Sequence, residues 1–247
     1  LQPEDVTDPA FAEAVAEVAP DVIAVVAYKI LPPEVFTAAR KGAFNLHGSL
    51  LPKYRGAAPI NHAIMAGDPE TGVTTFFLEP SVDTGDIILQ ARMSIGPNET
   101  AGSVHDRMAE LGADAVVETV RQLDEGTVET RPQDDEKATP APKIHDADCE
   151  TPWEASAQEV HNHVRGLAPY PGAWTQHGDT RLKLYRTRRA EGTGAPGEVL
   201  EADERLLVAC GTGAVEVRTL QQPGRKRLDA PDFLNGYALS AGDRLGE

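Results

Sequence analysis

Cysteine is scarce: Cys149 and Cys210 are the only two in 247 residues. Two thiols do not make a disulfide framework for a chain of this length, so a reducing cytoplasm is the expected compartment. No apolar run approaches the roughly 20 residues that a helix needs to cross a bilayer. The opening "LQPEDVTDPAFAEAV" has no basic start, no apolar signal core and no initiator Met. Neither a GxGxxG nor a Walker A phosphate loop is present, and no serine or cysteine stands in an obvious nucleophile motif. Metal-ligand spacing is missing too. The one candidate, His161-Asn162-His163, falls in a helical stretch where its two imidazoles point to different faces, so no metal is expected. No segment repeats.

The length allows one large domain or two modest ones, with enough residues to bury a core. The net charge is −16, which argues against a nucleic-acid binder until its distribution is read. Residues 1–152 hold 11 Lys/Arg against 26 Asp/Glu, whereas residues 153–247 hold 12 against 13. The near-neutral second part carries the clusters "RTRR" (186–189) and "RKR" (225–227). These make a basic face on an acidic protein, or simply solvated arginines on exposed strands; charge alone leaves both open. The acidity itself reads as solubility chemistry or adaptation to salt.

A helix is expected near residues 9–18. "DVIAVVAY" (21–28) follows as a strand buried on both faces, as in a parallel sheet. "AFNLH" (43–47), "GVTTFFLE" (72–79) and "DIILQARMSI" (86–95) read as further strands, and 59–67 and 103–126 as helices stopped by glycine. Strands alternating with helices indicate an α/β domain. Residues 131–150, rich in Pro, Asp and Ala, read as a linker. After a helix at 154–167, short strands between glycine turns suggest a small barrel or sandwich, closed by a short helix near 230–239.

The stretch "FNLHGSLLPKYRG" (44–56) holds the chemistry. Residues i and i+2 of a strand point to one side, so Asn45 and His47 share a face at a strand end. α/β sheets build their sites at such ends. An amide donor beside an imidazole suits a carbonyl that becomes an oxyanion. A third group must orient the histidine, and "SVDTGD" offers Asp83 and Asp86 in a loop between strands. On spacing alone, satisfied polar residues at a strand end are the favoured reading.

The full run "FNLHGSLLPKYRGAAPINHAIMAGDPETGVTTFFLEPSVDTGDII" resembles the methionyl-tRNA formyltransferases. So do "ATPAPKI" (138–144), "VHNHVRGLAPYPGAWT" (160–175) and "LQQPGRKRL" (220–228). The resemblance implies a Rossmann-like formyltransferase domain over residues 1–132, a linker over 133–152, and an OB-like barrel over 153–247 that helps bind tRNA. It implies formyl transfer from 10-formyltetrahydrofolate, the cosubstrate, to methionyl initiator tRNA, by a monomer in the cytoplasm. Asn45, His47 and Asp83 match the catalytic trio of that family. Ser49, Leu50, Leu51 and Pro52 match the segment bordering the folate. Arg55 is expected to line the site, and Arg181, Lys183, Arg186, Arg188, Arg225, Lys226 and Arg227 to supply the RNA-binding charge.

Relative to that family, the chain is expected to begin late, after roughly 60 residues forming the first βα units of the sheet and a tRNA-binding loop. An open sheet begun there would show an apolar edge. The alternatives are another folate-dependent formyltransferase, acting on glycinamide ribonucleotide or an amino sugar, and an inactive chain that only binds RNA. Residual formyl transfer separates the last from the others.

Overall fold

A computed structural model describes all residues, 1–247. The chain forms two units, each assembled from separated stretches: Leu1–Pro59, Glu70–Ser94 and Asp106–Lys143 in the first, Ile60–Pro69, Ile95–His105 and Ile144–Glu247 in the second.

The first unit begins with helix α1 (Pro9–Val18), started by the Asp8 side chain accepting from the Ala10 amide. Its sheet has the order β1 (Ile23–Val26), β2 (Ala43–His47), β3 (Glu70–Phe77), β4 (Ile87–Ser94). β1 and β2 are parallel, with the short helix α2 (Pro33–Phe36) on the chain between them. β3 runs antiparallel to both of its neighbours, and the loop that joins it to β4 allows that pairing directly. The long helix α4 (Ala101–Glu125) enters this unit at Asp106. It lies so close to β2 that a Cβ on Gly112 would come within 2.8 Å of Leu46, which explains a glycine in mid-helix. Phe44, Ile88 and Leu123 form the core on that side.

One expectation fails here. β1 is not buried on both faces: its residues alternate between half-buried and exposed, with Val26 at 51% exposure and Tyr28, just beyond the strand, at 54%. The strand stands at the edge of the sheet, hydrogen-bonded on one side to β2. An apolar run reports a preference for burial, and the strand order decides whether a neighbour supplies it.

In the second unit, helix α5 (Ala157–Leu167) starts at a capping box in which Ser156 and Glu159 bind each other's backbone amides. A six-stranded antiparallel sheet follows, in the order β5 (Ala173–His177), β6 (Thr180–Ala190), β9 (Ala214–Gln221), β8 (Leu206–Ala209), β7 (Val199–Ala202), with β10 (Leu228–Asp229) on β9. Irregular register in β6 and β7 provides the bends of a barrel-like sheet. Helix α6 (Ala230–Leu234) is shorter than the sequence suggests. Val160, Val164 and Leu167 of α5 pack with Leu182, Leu184, Val215 and Phe233 in one buried cluster.

This unit also contains helix α3 (Pro59–Met65) from Ile60 on, and the turn at 95–100. The buried Arg165 guanidinium donates to the carbonyls of Ile64, Gly96 and Glu99 at 3.4, 3.3 and 3.2 Å. His161 Nε2 donates to Pro97 O at 3.0 Å, which leaves Nδ1 to accept from Thr187 Oγ1 at 2.9 Å. Of the residues read as a linker, Gln133 and Thr139–Ala141 hydrogen-bond within the first unit, and Thr151 within the second.

Candidate active site

β2 carries Asn45 and His47 on one face, as period two requires. Asn45 is half-buried and its carboxamide makes no hydrogen bond to the protein. A free amide in that setting is a donor held in reserve. His47 is 5% exposed, with one ring nitrogen hydrogen-bonded and the other near a carboxylate. Nε2 donates to the carbonyl of Tyr54 at 2.8 Å. Nδ1 faces Asp83 Oδ2 at 3.6 Å. With Nε2–H committed to a carbonyl, a proton on Nδ1 makes the ring an imidazolium directed at a carboxylate.

Asp83 lies in the loop between β3 and β4 and adopts φ +56°, a left-handed conformation unusual for a side-chain-bearing residue. Its Oδ2 also accepts from the Gly56 amide at 2.9 Å, so the carboxylate is aimed by the 52–56 loop as well as by its own backbone. Asp86 turns elsewhere, to Thr130 Oγ1 at 3.4 Å, which separates the two aspartates that the sequence left side by side. Gly85 cannot carry a side chain, because a Cβ there would meet Phe77 O at 1.8 Å.

Ser49 to Pro52 follow β2 directly. Thr74 Oγ1 donates to Ser49 O at 2.7 Å and accepts from the Leu51 amide at 3.1 Å; Gln90 Nε2 donates to Leu51 O at 2.8 Å. Ser49 Oγ donates to Lys53 O at 2.6 Å. The polar groups of Ser49 and Leu51 are thus spent inside the protein, and both residues are buried, while Leu50 and Pro52 are half-exposed. Such a segment offers a fixed apolar wall more than hydrogen bonds. Arg55, 17% exposed at its side chain, points its fork at Gln133 and Asp135 rather than into open space.

The basic candidates of the second unit divide in two. Arg181 pairs with Asp146 and stacks on Trp174 at 3.8 Å; Arg227 stacks on Tyr185 at 3.7 Å; Lys183 Nζ donates to Pro171 O. Arg225 and Lys226 are exposed in the turn before β10. Arg186 and Arg188 are exposed on β6 without a side-chain partner, and with Arg205 and Arg218 they line a groove of about 570 Å³. Glu216 and Asp229 share that groove. Nothing in the sequence marks Arg205 or Arg218 for it, because strands β8 and β9 bring them there from outside the basic clusters. Gln133, Thr74, Gln90 and the Tyr54 carbonyl were likewise unmarked.

No group of histidine, cysteine or acidic residues is arranged to hold a metal ion. No helix is long and apolar enough to cross a membrane.

Residues 1–120 match the family described as "Formyl transferase", and residues 143–238 the family described as "Formyl transferase, C-terminal domain". The chain is 47% identical over 252 residues to a methionyl-tRNA formyltransferase of Chlorobium phaeovibrioides, covering 100% of this chain and 79% of the relative. A methionyl-tRNA formyltransferase of Geobacter sulfurreducens is 43% identical over 249 residues, with 100% and 78% covered. Among solved structures, HypX from Aquifex aeolicus in complex with tetrahydrofolic acid has a TM-score of 0.69 at 23% identity, over 90% of this chain and 40% of that one. The methionyl-tRNA formyltransferase from Clostridium thermocellum has a TM-score of 0.59 at 20% identity, over 76% and 80%. These two likenesses concern the fold.

Proposed function

The chain belongs to the formyl transferase family, and we infer that the site on β2 performs its reaction: transfer of a formyl group from 10-formyltetrahydrofolate to the amino group of methionyl initiator tRNA, the step that readies this tRNA for translation initiation. The observation that carries the assignment to this site is the His47 ring held between Asp83 and the Tyr54 carbonyl beside an unpaired Asn45.

In the reaction the amine nitrogen bonds to the formyl carbon, the bond from that carbon to N10 of the folate breaks, and one proton passes from the amine to N10. Negative charge gathers on the formyl oxygen on the way. Asn45 donates to that oxygen, a contact that strengthens as the charge grows. His47 stabilises the same charge and moves the proton, and the Asp83 carboxylate, 3.6 Å from Nδ1, orients the ring. Ser49, Leu50, Leu51 and Pro52 form the wall against which the folate is placed, chiefly through shape. Residues 1–132 carry the chemistry, and residues 153–247 hold the RNA, with Arg186 and Arg188 as the free cations of the groove. Arg225 and Lys226 are exposed enough to join them, whereas Arg181, Lys183 and Arg227 are already engaged in the protein. The cytoplasm is the compartment in which this substrate occurs.

The test is direct. The chain is mixed with 10-formyltetrahydrofolate and methionyl initiator tRNA, and formylmethionine on the tRNA is measured. Asn45→Ala is expected to lower kcat by about 10²- to 10³-fold, as for other lost oxyanion donors. A parent chain that forms no product, or an Asn45→Ala variant as fast as the parent, would overturn the reading.

A further inference from the structure

We propose that Gln133 is a positioning residue for formyl transfer, bracing from one side chain both loops that hold the His47 ring. It lies outside the strands, in the Pro- and Asp-rich segment after α4, yet its carboxamide is used at both ends. Nε2 donates to the carbonyls of Asp83 and Gly85, each at 2.9 Å. Oε1 accepts from Nε and Nη2 of Arg55 at 3.1 and 2.8 Å. Two donors and two lone pairs are thus all committed, an unusual state for a half-buried glutamine in an irregular segment.

The two loops it joins are the two that touch His47. On one side, Asp83 faces Nδ1; on the other, Tyr54 O accepts from Nε2, and Arg55 is the next residue along. The Gly56 amide closes the ring of contacts on Asp83 Oδ2. Both loops also contain a left-handed residue with a side chain, Tyr54 at φ +62° and Asp83 at +56°. Such a conformation persists only where its surroundings hold it. For Asp83 the surroundings at the backbone are Gln133 and the tight Gly85 turn. Without Gln133 the 81–85 loop is free to relax, and the carboxylate leaves the ring it orients. Gln133 touches neither the ring nor a reacting atom, so its action runs through Asp83.

The proposal rests on the reading of His47 and Asp83 as the reacting pair, and the experiment keeps the two apart. Gln133→Ala removes the whole brace. Gln133→Glu is nearly the same shape and still receives Arg55, but sets an oxygen against two carbonyl oxygens; it carries the test if the alanine variant fails to fold. Both are expected to lower kcat by about tenfold or more while KM for methionyl-tRNA stays within about twofold. In an Asp83→Asn background the same substitutions are expected to cost less than about twofold further, because the group they position has already lost its charge. The imidazole NMR signal of His47, identified by its loss in His47→Asn, is expected to move in both variants. A kcat within about twofold of the parent, or a cost that adds in full to that of Asp83→Asn, overturns the proposal. If the parent chain itself transfers nothing, the proposed function falls and the role of Gln133 in transfer with it; the His47 signal then tests the brace alone, and an unmoved signal overturns that too.

Discussion

His47 owes its orientation to contacts of very different kinds, a carboxylate on one nitrogen and a main-chain carbonyl on the other. Asp83→Asn separates charge from shape. The amide oxygen still accepts from the Gly56 amide, while the charge opposite Nδ1 is gone. The expected result is a kcat lowered by about 10²- to 10⁴-fold, with the thermal midpoint little changed; a large loss of stability instead would make Asp83 a structural residue. A second histidine makes a different prediction. Burial pushes the pKa of His161 down, the Pro97 carbonyl works against that, and Arg165 and Arg189 push it lower; His163 is also lowered by burial. A histidine kept neutral in the fold is protonated first in the unfolded chain, so the unfolded state binds more protons and stability falls as the pH drops below about 6.5. Urea unfolding at pH 7.5 and 5.5 should show this loss. In His161→Gln, which keeps an amide donor for Pro97 and cannot titrate, the loss should be smaller; an unchanged slope would reject it. At this scale the sequence shows Asn45 and His47 well, because a strand's period of two puts them on one face. It cannot show Tyr54, whose contribution is a carbonyl that any residue possesses, nor Gln133, whose partners in the two loops lie 48 to 78 positions away along the chain.

Elements were legible wherever pattern and neighbours agree. β2 occupies Ala43–His47, and α1 occupies Pro9–Val18, both as read from the sequence. β1 departs from its expected environment because Val and Ile state a preference that an edge position does not fulfil on both faces. α5 is the element with the plainest local signal, since Ser156 and Glu159 stand three apart just before its first buried turn. Ser156→Ala removes the side-chain acceptor for the Glu159 amide and should cost about 1 kcal/mol of unfolding free energy. Denaturant unfolding measures it, and a variant as stable as the parent would show that water replaces the cap without cost.

For the whole molecule, a net charge of −16 argues against RNA and conceals where the arginines sit. Exposed Arg186 and Arg188 lie on one strand, and the groove they line with Arg205 and Arg218 is created by strand pairing that no charge count contains. Arg186→Ala combined with Arg188→Ala should weaken tRNA binding and lower the slope of log affinity against log salt by about one to two. Filter binding over a range of salt concentrations decides; a slope equal to the parent's would move RNA contact off this groove.

Arg165 reaches back to Ile64, Gly96 and Glu99, and Asn61 donates to Gly166 O, so the second unit is completed from chain made early and chain made late. Synthesis proceeds from the N-terminus, and units fold as their residues become available. All of the first unit exists once Lys143 has been added, whereas residues 60–69 and 95–105 must wait for residues 157–167. A nascent chain that has left the ribosome as far as Lys143 can therefore already bring His47, Asp83 and Gln133 together, while residues 60–69 and 95–105, made before Gln133, still lack the helix they serve.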